Sequence, residues 1–199
     1  MLLLCSNGLT SVTLGKCISD KLDKGIAALV VTADNEYKSE NYHVPRCKEE
    51  LESLGFEVDI FDVDFQPVDD LLKYDIVEFI GGNPYYLLQS LKRCDARDVL
   101  LSLSKEKILI GWSAGALVMG PTIGIIEEYS PEMNICKLND LTGMCLTDVQ
   151  VLPHYKKFIK KYNNCEEKCL AYEQKNKCHV IRINDGEGVL IDDKGTFVI

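Results

Sequence analysis

The first 120 residues alternate short apolar runs with amphipathic stretches, and this alternation constrains the fold more than any other feature. The apolar runs are rich in Val, Ile and Leu, as in parallel strands covered on both faces; they span residues 2–5, 27–32, 57–63, 76–80 and 108–112. The stretches between them are typical of helices and span residues 11–22, 42–54, 85–94 and 96–105. The sequence therefore predicts an α/β fold, a mostly parallel doubly wound sheet with helices on both faces.

After residue 120 the apolar runs become shorter and the helical stretches fewer. We expect short extra strands in this C-terminal third, some of them antiparallel, over residues 123–126, 149–152, 180–183, 189–191 and 196–199. The turn 192–195 would join the last two, and a single helix is predicted over residues 164–173. Because no repeat, low-complexity tract or Pro/Gly linker interrupts the chain, residues 1–199 are predicted to form one domain.

Charge and hydropathy exclude several classes of partner. The net charge of −9 at pH 7, with no dominant Lys/Arg cluster, argues against a nucleic-acid groove. Every apolar run is shorter than the roughly 20 residues that cross a bilayer. The N-terminal run lacks the basic region of a signal peptide. We therefore expect a cytoplasmic protein with no membrane or nucleic-acid partner.

The nine cysteines do not form a recognisable disulfide or zinc pattern. Cys165 and Cys169 lie one helical turn apart, and the pair Cys178–His179 follows, but a metal site there is the weaker interpretation. Free, mostly buried thiols account better for this composition. The sequence therefore predicts no metal site.

The pentapeptide Gly-Trp-Ser-Ala-Gly at residues 111–115 follows one apolar run and opens a small-residue segment. A strand, a Gly-x-Ser-x-Gly turn and a helix together form a nucleophile elbow, which exposes the serine at a helix N-terminus. Ser113 is the candidate nucleophile, and the amide of Ala114 would point to a developing oxyanion. The alternative is a glycine-flanked turn in which the serine caps a helix.

A serine nucleophile needs a general base, and the chain offers three histidines. His154 follows the apolar run 149–152, at the carboxyl end of a predicted strand, where sites cluster in open α/β sheets. His43 begins a predicted helix and is a second choice. His179 stands at the start of a late strand, where a surface or packing role is more typical.

The turn Gly81-Gly82-Asn83 ends another predicted strand and opens a helix at Pro84. Glycines there allow a backbone amide to approach a ligand closely, which makes this loop a candidate for the second oxyanion donor. A routine strand-to-helix turn with an Asn cap is the alternative.

Together the segments 81–83, 111–116, 120–122 and Leu-Pro-His-Tyr at 152–155 resemble the peptidase E and cyanophycinase family of serine peptidases. The resemblance runs from the first strand to the segment 185–191. It implies a class I glutamine-amidotransferase-like α/β fold, no cofactor, and cleavage of small peptides. Peptidase E members prefer an N-terminal aspartate, and cyanophycinases cleave β-aspartyl-arginine units.

Carried over to this chain, the resemblance implies Ser113 as nucleophile, His154 as base, and the amides of Ala114 and Gly82 as the oxyanion hole. For the acid it favours Glu128, in the segment between the serine and the histidine. The alternative acids are Glu127, Asp185 and Glu187. Asn83 and Arg182 are candidate substrate-binding residues, since an aspartyl substrate requires a cation or polar group; Lys156 and Lys157 are further candidate cations.

The favoured function is therefore a serine peptidase acting on short peptides, Asp-Xaa dipeptides among them, and a homodimer is left open. A glutamine amidotransferase relative would carry Cys at the elbow and a His-x-Glu pair, which this chain lacks. An α/β-hydrolase esterase would have an HGGG-type loop, also missing. A non-catalytic binding module that keeps the elbow for structure remains an alternative, as does an amidase of another specificity.

Overall fold

The computed structural model describes all residues 1–199, and its main feature is a seven-stranded sheet. The strands lie in the order β3-β2-β4-β5-β1-β8-β9; they are β1 Leu2–Cys5, β2 Gly25–Val30, β3 Phe56–Phe61, β4 Ile76–Phe79, β5 Ile108–Trp112, β8 Gly188–Asp192 and β9 Gly195–Val198. The first five are mutually parallel, while β8 runs antiparallel to β1 and to β9. The predicted α/β fold with a mostly parallel sheet is confirmed.

The chain forms seven α-helices: α1 Val12–Ser19, α2 Val44–Ser53, α3 Pro84–Arg93, α4 Arg97–Glu106, α5 Ala114–Met119, α6 Tyr155–Lys161 and α7 Cys165–Asn176. The first five pack against the two faces of the sheet. Alternate residues of each strand point to opposite faces. Thus Leu2 and Leu4 join a cluster of 38 buried residues that includes α3, α4 and α5. Leu3 and Cys5 join a cluster of 17 residues beneath α1 and α2.

Local sequence signals explain where several helices begin. The Ser11 side chain accepts from the Leu14 amide and caps α1. Asn83 accepts from the amides of Tyr85 and Tyr86 at the start of α3, and Pro84 occupies the first turn, where no amide donor is needed. None of the helices is long and apolar enough to cross a membrane.

The C-terminal third differs from the predicted arrangement in three respects. The predicted strand 123–126 is wrong: this segment forms the 3-10 helix Gly124–Glu128, and only an isolated bridge joins Thr122 to Thr142. Strands β6 Gln150–Leu152 and β7 Val180–Arg182 form a separate two-stranded parallel sheet. Helix α6 lies outside the one helix predicted over residues 164–173, and its lysines at 156, 157, 160 and 161 lie on this short basic helix. The hairpin β8–β9 through the turn at 192–195 agrees with expectation.

Candidate active site

The carboxyl ends of β1, β4 and β5 bring three loops together at one edge of the main sheet. Ser6 follows β1, Gly82 follows β4 and Ser113 follows β5, and the Ser113 amide donates to the Cys5 carbonyl (3.1 Å). Since β1 and β4 both pair with β5, these loops are neighbours. The edge is the one where ligands bind in open α/β sheets.

Ser113 has the strained backbone of a nucleophile elbow. Its φ of 50° and ψ of −110° lie outside the regions that L-residues favour, which costs of order 1–3 kcal/mol. The turn is possible because Gly115 has no Cβ: one added there would lie 2.4 Å from the Phe79 carbonyl oxygen. The packing of α5 against β4 therefore requires the second glycine of the motif and leaves Ser113 at the tip.

Two backbone amides near Ser113 donate to no acceptor within the protein. The Ala114 amide opens α5 in a buried position, as the first N–H groups of a helix have no partner in it. The Gly82 amide lies in the exposed turn before α3. Gly82 has φ of 151°, and an added Cβ would lie 2.4 Å from the Ala33 carbonyl oxygen, so only glycine fits.

His154 and Asp185 come from the ends of the two strands of the small sheet. His154 is the N-cap of α6 in the left-handed conformation, with φ of 56° and ψ of 31°. Its Nδ1 lies 2.6 Å from Asp185 Oδ1, across 31 residues of sequence. Nδ1 therefore carries the proton that Asp185 accepts, which leaves Nε2 as the free acceptor of the ring.

Ser6 joins this pair to the main sheet. Its hydroxyl accepts from the His154 backbone amide (2.8 Å) and donates to Asp185 Oδ1 (2.9 Å). Its own amide donates to the Glu187 carbonyl (3.1 Å), which ties the loop after β7 to the end of β1. Ser6 is fully buried, so its hydroxyl has no competing water.

Lys157, one turn into α6, completes the network. Its ammonium lies 2.8 Å from Asp185 Oδ2, the oxygen that His154 does not use. Burial alone raises the pKa of Asp185, but hydrogen bonds from Lys157, His154 and Ser6 bring it down to about 2. Burial lowers the pKa of His154; the Asp185 hydrogen bond opposes this shift and the Lys157 charge adds to it. The pair is thus a carboxylate and a neutral imidazole at pH 7.

The structure places Asp185, and not the favoured Glu128, beside the histidine. Glu128, at the end of a 3-10 helix, makes no hydrogen bond to His154, and its carbonyl accepts from Lys168 of α7 (2.6 Å). Glu127 is exposed on the same turn. Glu187 accepts from the amide and the side chain of Asn184 and so shapes the loop. Of the four candidate acids, the structure brings only Asp185 to the histidine.

The two expected substrate-binding side chains are engaged within the protein. Asn83 caps α3 with its oxygen and donates to the Met133 carbonyl with its nitrogen (2.7 Å). Arg182 lies 2.6 Å from Glu173 and 3.0 Å from Glu166, and the Glu173 hydrogen bond holds its pKa above the ordinary value. Neither is free to meet a substrate carboxylate in this structure.

Two histidines fall outside the network. The His43 ring lies 5.2 Å from the Trp112 ring, edge to face, beside the elbow. Burial, together with the charges of Arg46, Lys157 and His154, lowers the pKa of His43. His179 is exposed and lies 3.0 Å from Glu173. In this conformation no hydrogen bond joins the Ser113 hydroxyl to a histidine.

Ser6 is a residue of the network that was not among the sequence candidates. A polar residue directly after a fully buried strand, at the carboxyl edge of the sheet, is the signal that would have marked it. Lys157 was expected as a cation for substrate, and no sequence signal placed its ammonium beside Asp185.

Comparison with known proteins places this chain in a family. The model of peptidase family S51 matches residues 2–199. The chain belongs to peptidase family S51. It is a serine-type peptidase, and peptides are its substrates.

Relatives of this S51 peptidase come from several bacteria. An uncharacterized peptidase of Listeria monocytogenes is 30% identical over 77% of this chain and 76% of its own length. One from Listeria innocua is 31% identical over 77% of this chain and 74% of its own. Peptidase E of a Nostoc species is 24% identical over 85% of this chain and 68% of its own.

Solved structures agree with these relatives. The crystal structure of a candidate peptidase E protein from Listeria monocytogenes EGD-e superposes with a TM-score of 0.77. It is 27% identical in sequence, and the match covers 100% of this chain and 96% of that one. The resemblance to peptidase E seen in the sequence is confirmed.

Proposed function

We propose that this S51 peptidase hydrolyses short peptides with Ser113 as nucleophile, His154 as general base and Asp185 as the acid that orients the histidine. The observation that carries this proposal is the 2.6 Å contact between His154 Nδ1 and Asp185 Oδ1 at the edge that carries the Ser113 elbow. A serine at a strained turn and a histidine with a fixed tautomer are the two requirements of acyl transfer.

In this mechanism His154 Nε2 removes the proton of the Ser113 hydroxyl as its oxygen attacks the peptide carbonyl. The ring then carries a positive charge, which the ionised Asp185 stabilises. The same nitrogen returns the proton to the leaving amine, and water attacks the acyl-enzyme in a second, equivalent step. The serine and the imidazole come into hydrogen-bond contact as substrate binds, since such contacts are often long before the Michaelis complex.

The amides of Ala114 and Gly82 would stabilise the tetrahedral intermediate. Support comes from their position in two adjoining loops and from the lack of any protein acceptor for either N–H. Both are backbone groups fixed by packing, so they need no reorganisation during the reaction. Loss of one such donor typically costs about 100-fold to 1000-fold in kcat.

Asp-Xaa dipeptides enter this proposal through the likeness to peptidase E. Arg182 and Asn83 add no support, because each is already paired within the protein. Lys157 is 64% exposed but is bound to Asp185, and Lys156 is exposed on the same turn of α6. If one of these lysines meets the substrate carboxylate, Lys156 is the one with a free ammonium.

A fluorophosphonate probe, which reacts with activated serines, tests the proposal. We expect one covalent adduct per chain, located on Ser113 by peptide mass spectrometry. Ser113→Ala and His154→Ala should each abolish labelling and lower kcat/KM by at least about 1000-fold, with a double mutant no worse than the single mutants, because the two act as one unit. Multiplicative losses would contradict the shared mechanism.

Matched controls separate chemistry from folding and specificity. Ser130→Ala removes a hydroxyl at a buried position outside the network and should leave labelling intact.

Turnover of Asp-Leu, β-Asp-Leu and Ala-Leu by the unmodified protein then defines the substrate preference. Labelling of Ser113 with equal turnover of Asp-Leu and Ala-Leu would remove the aspartyl preference and keep the serine mechanism. An unlabelled, well-folded protein would favour a binding module.

A further inference from the structure

A small polar cluster lies in the apolar layer beneath α2. Cys47 and Glu50 lie three residues apart on α2 and so share one face of the helix. Glu78 is in the middle of β4, and its side chain enters the same layer between the apolar Ile76 and Ile80. The cluster is on the sheet face opposite α3 and α5, and the proposed mechanism does not use it.

Glu78 is the unusual member, because it is a fully buried carboxyl without a partner. Its side chain has 0% exposure, and neither of its oxygens accepts or donates a hydrogen bond. Its cross-strand neighbours on β2 and β5 are Leu29 and Ile110, which offer no polar atom. Burying a polar group without a partner costs free energy, and a bound ion would supply the missing partner.

The three side chains converge. Cys47 Sγ, one oxygen of Glu50 and one oxygen of Glu78 all lie within 4.8 Å of one another. They are the one set of three or more His, Cys, Asp or Glu ligand atoms this close in the chain, and the sequence candidates Cys165, Cys169 and His179 are not among them. We propose that Cys47, Glu50 and Glu78 bind one divalent transition-metal ion. A thiolate with two carboxylates favours Zn²⁺ over the harder Mg²⁺ or Ca²⁺.

Charge balance supports this site. Arg46 lies 2.7 Å from one oxygen of Glu50, and the Leu9 amide donates to the other (3.1 Å). These contacts orient the Glu50 carboxylate and neutralise it, and each oxygen keeps a lone pair for a metal. The Cys47 thiolate and the Glu78 carboxylate then supply two negative charges for a dication.

Without the ion, the cluster carries no net charge because Cys47 and Glu78 keep their protons. Burial raises the pKa of Glu78 to about 8 and that of Cys47 well above its usual value. Metal binding would therefore replace two protons and leave the net charge of the buried layer unchanged.

The ion would hold α2 against β4 and would not touch substrate. Trp112, the residue before Ser113, lies in the same layer, and Arg46 lies over its ring at 5.5 Å. A metal here would stabilise β5, the strand that leads into the elbow, on the sheet face covered by α1 and α2. The expected consequence is higher thermal stability of the metal-loaded protein. This departs from the expectation that the chain has no metal site.

Titration of chelator-treated protein with Co²⁺ tests the site without any activity measurement. We expect a near-ultraviolet thiolate-to-cobalt charge-transfer band that saturates at one equivalent and disappears when Zn²⁺ is added. The melting temperature should rise with Zn²⁺. Cys47→Ser and Glu78→Gln, both close in shape to the original, should lose the band and the rise. Cys17→Ser, a thiol on α1 outside the cluster, should keep them.

An absent band in the unmodified protein, or a band that persists in Cys47→Ser, would overturn the site. Circular dichroism checks that the variants fold. If Cys47→Ser does not fold, X-ray absorption of the zinc-loaded unmodified protein decides instead. One sulfur and otherwise oxygen ligands would support the site, whereas no sulfur, or two or more, would contradict it.

Discussion

The two halves of the candidate site are built in different ways. The nucleophile half consists of turns next to strands of the main sheet, and backbone geometry fixes it: the strained Ser113, the glycines at 82 and 115, and the amide of Ala114. The base half consists of side-chain hydrogen bonds among Ser6, His154, Lys157 and Asp185, which span up to 179 residues of sequence.

This difference predicts different consequences of mutation. In the nucleophile half the backbone sets the geometry, so only the Ser113 side chain can be changed without disturbing the turn itself. In the base half each function depends on one side chain, and conservative substitutions remove one hydrogen bond at a time. The base half is therefore where graded effects on activity are expected.

The largest graded effect should come from Asp185. Asp185→Asn keeps the shape but removes the charge that fixes the His154 tautomer and stabilises the imidazolium, so kcat should fall about 10,000-fold. Glu128→Gln, the matched change at the acid favoured by sequence, should alter kcat by less than about threefold. Steady-state kinetics with a dipeptide substrate makes the comparison.

Equal losses in the two variants, or a larger loss in Glu128→Gln, would restore the acid that the sequence favoured. A normal far-ultraviolet circular dichroism spectrum for Asp185→Asn is the control for folding.

The same division explains what the sequence could predict. The strands, the elbow and the Gly81-Gly82-Asn83 turn follow from local patterns, because a Gly-x-Ser-x-Gly turn needs only its neighbours to form. His154 was a candidate base because it follows an apolar run. The contact of Asp185 with His154 could not be predicted, because the spacing that favoured Glu128 carries no tertiary information and the strand expected over residues 123–126 does not form. That segment folds into 3-10 turns under α7 and leaves Asp185 to meet the histidine.

The position of Ser6 after a buried strand marks it as a candidate, but its contacts could not be predicted, for a related reason. Its partners lie 148 and 179 residues away, and no local pattern encodes either contact. The separation of β6 and β7 into their own sheet is a tertiary effect of the same kind. Three-residue strands carry too little alternation to show which sheet they join.

Ser6→Ala should have the next largest effect. Loss of the hydroxyl leaves the part-buried His154 amide without its acceptor, at a cost of about 1–3 kcal/mol in the free energy of unfolding. The substitution also removes a hydrogen bond that holds the left-handed turn at His154 and so orients its imidazole. Misplacement of a catalytic group by about 1 Å can lower kcat by about 100-fold. We expect this fall in kcat with KM nearly unchanged, because Ser6 does not touch substrate.

Ser19→Ala, which removes an exposed hydroxyl at the end of α1, serves as the control and should match the unmodified protein. A Ser6→Ala protein that is less stable but has unchanged kcat at low temperature would show that Ser6 supports the fold alone.

The smallest effect should come from Lys157 and should depend on pH. His154 must be neutral to act as base, so kcat/KM falls as pH drops through the His154 pKa, which lies below its usual value of about 6.5. The Lys157 charge contributes to that lowering, and Lys157→Met should raise the pKa of His154 and move the acid limb of the profile to higher pH. The Asp185 pKa also rises without Lys157, but from about 2, so Asp185 stays ionised throughout.

The size of the effect is limited because Lys157 is 64% exposed. The kcat/KM of Lys157→Met below pH 6.5 should fall by at most about fivefold, which corresponds to a solvent-screened charge interaction of ~1 kcal/mol. Above pH 8, where His154 is neutral in both proteins, the rates should nearly coincide.

The control is Lys160→Met, which changes an exposed lysine on the same helix and should leave the pH profile of kcat/KM unchanged. An acid limb that moves to lower pH in Lys157→Met, or a uniform loss at every pH, would mean that Lys157 acts on the position of Asp185 and not on the charge state of the base.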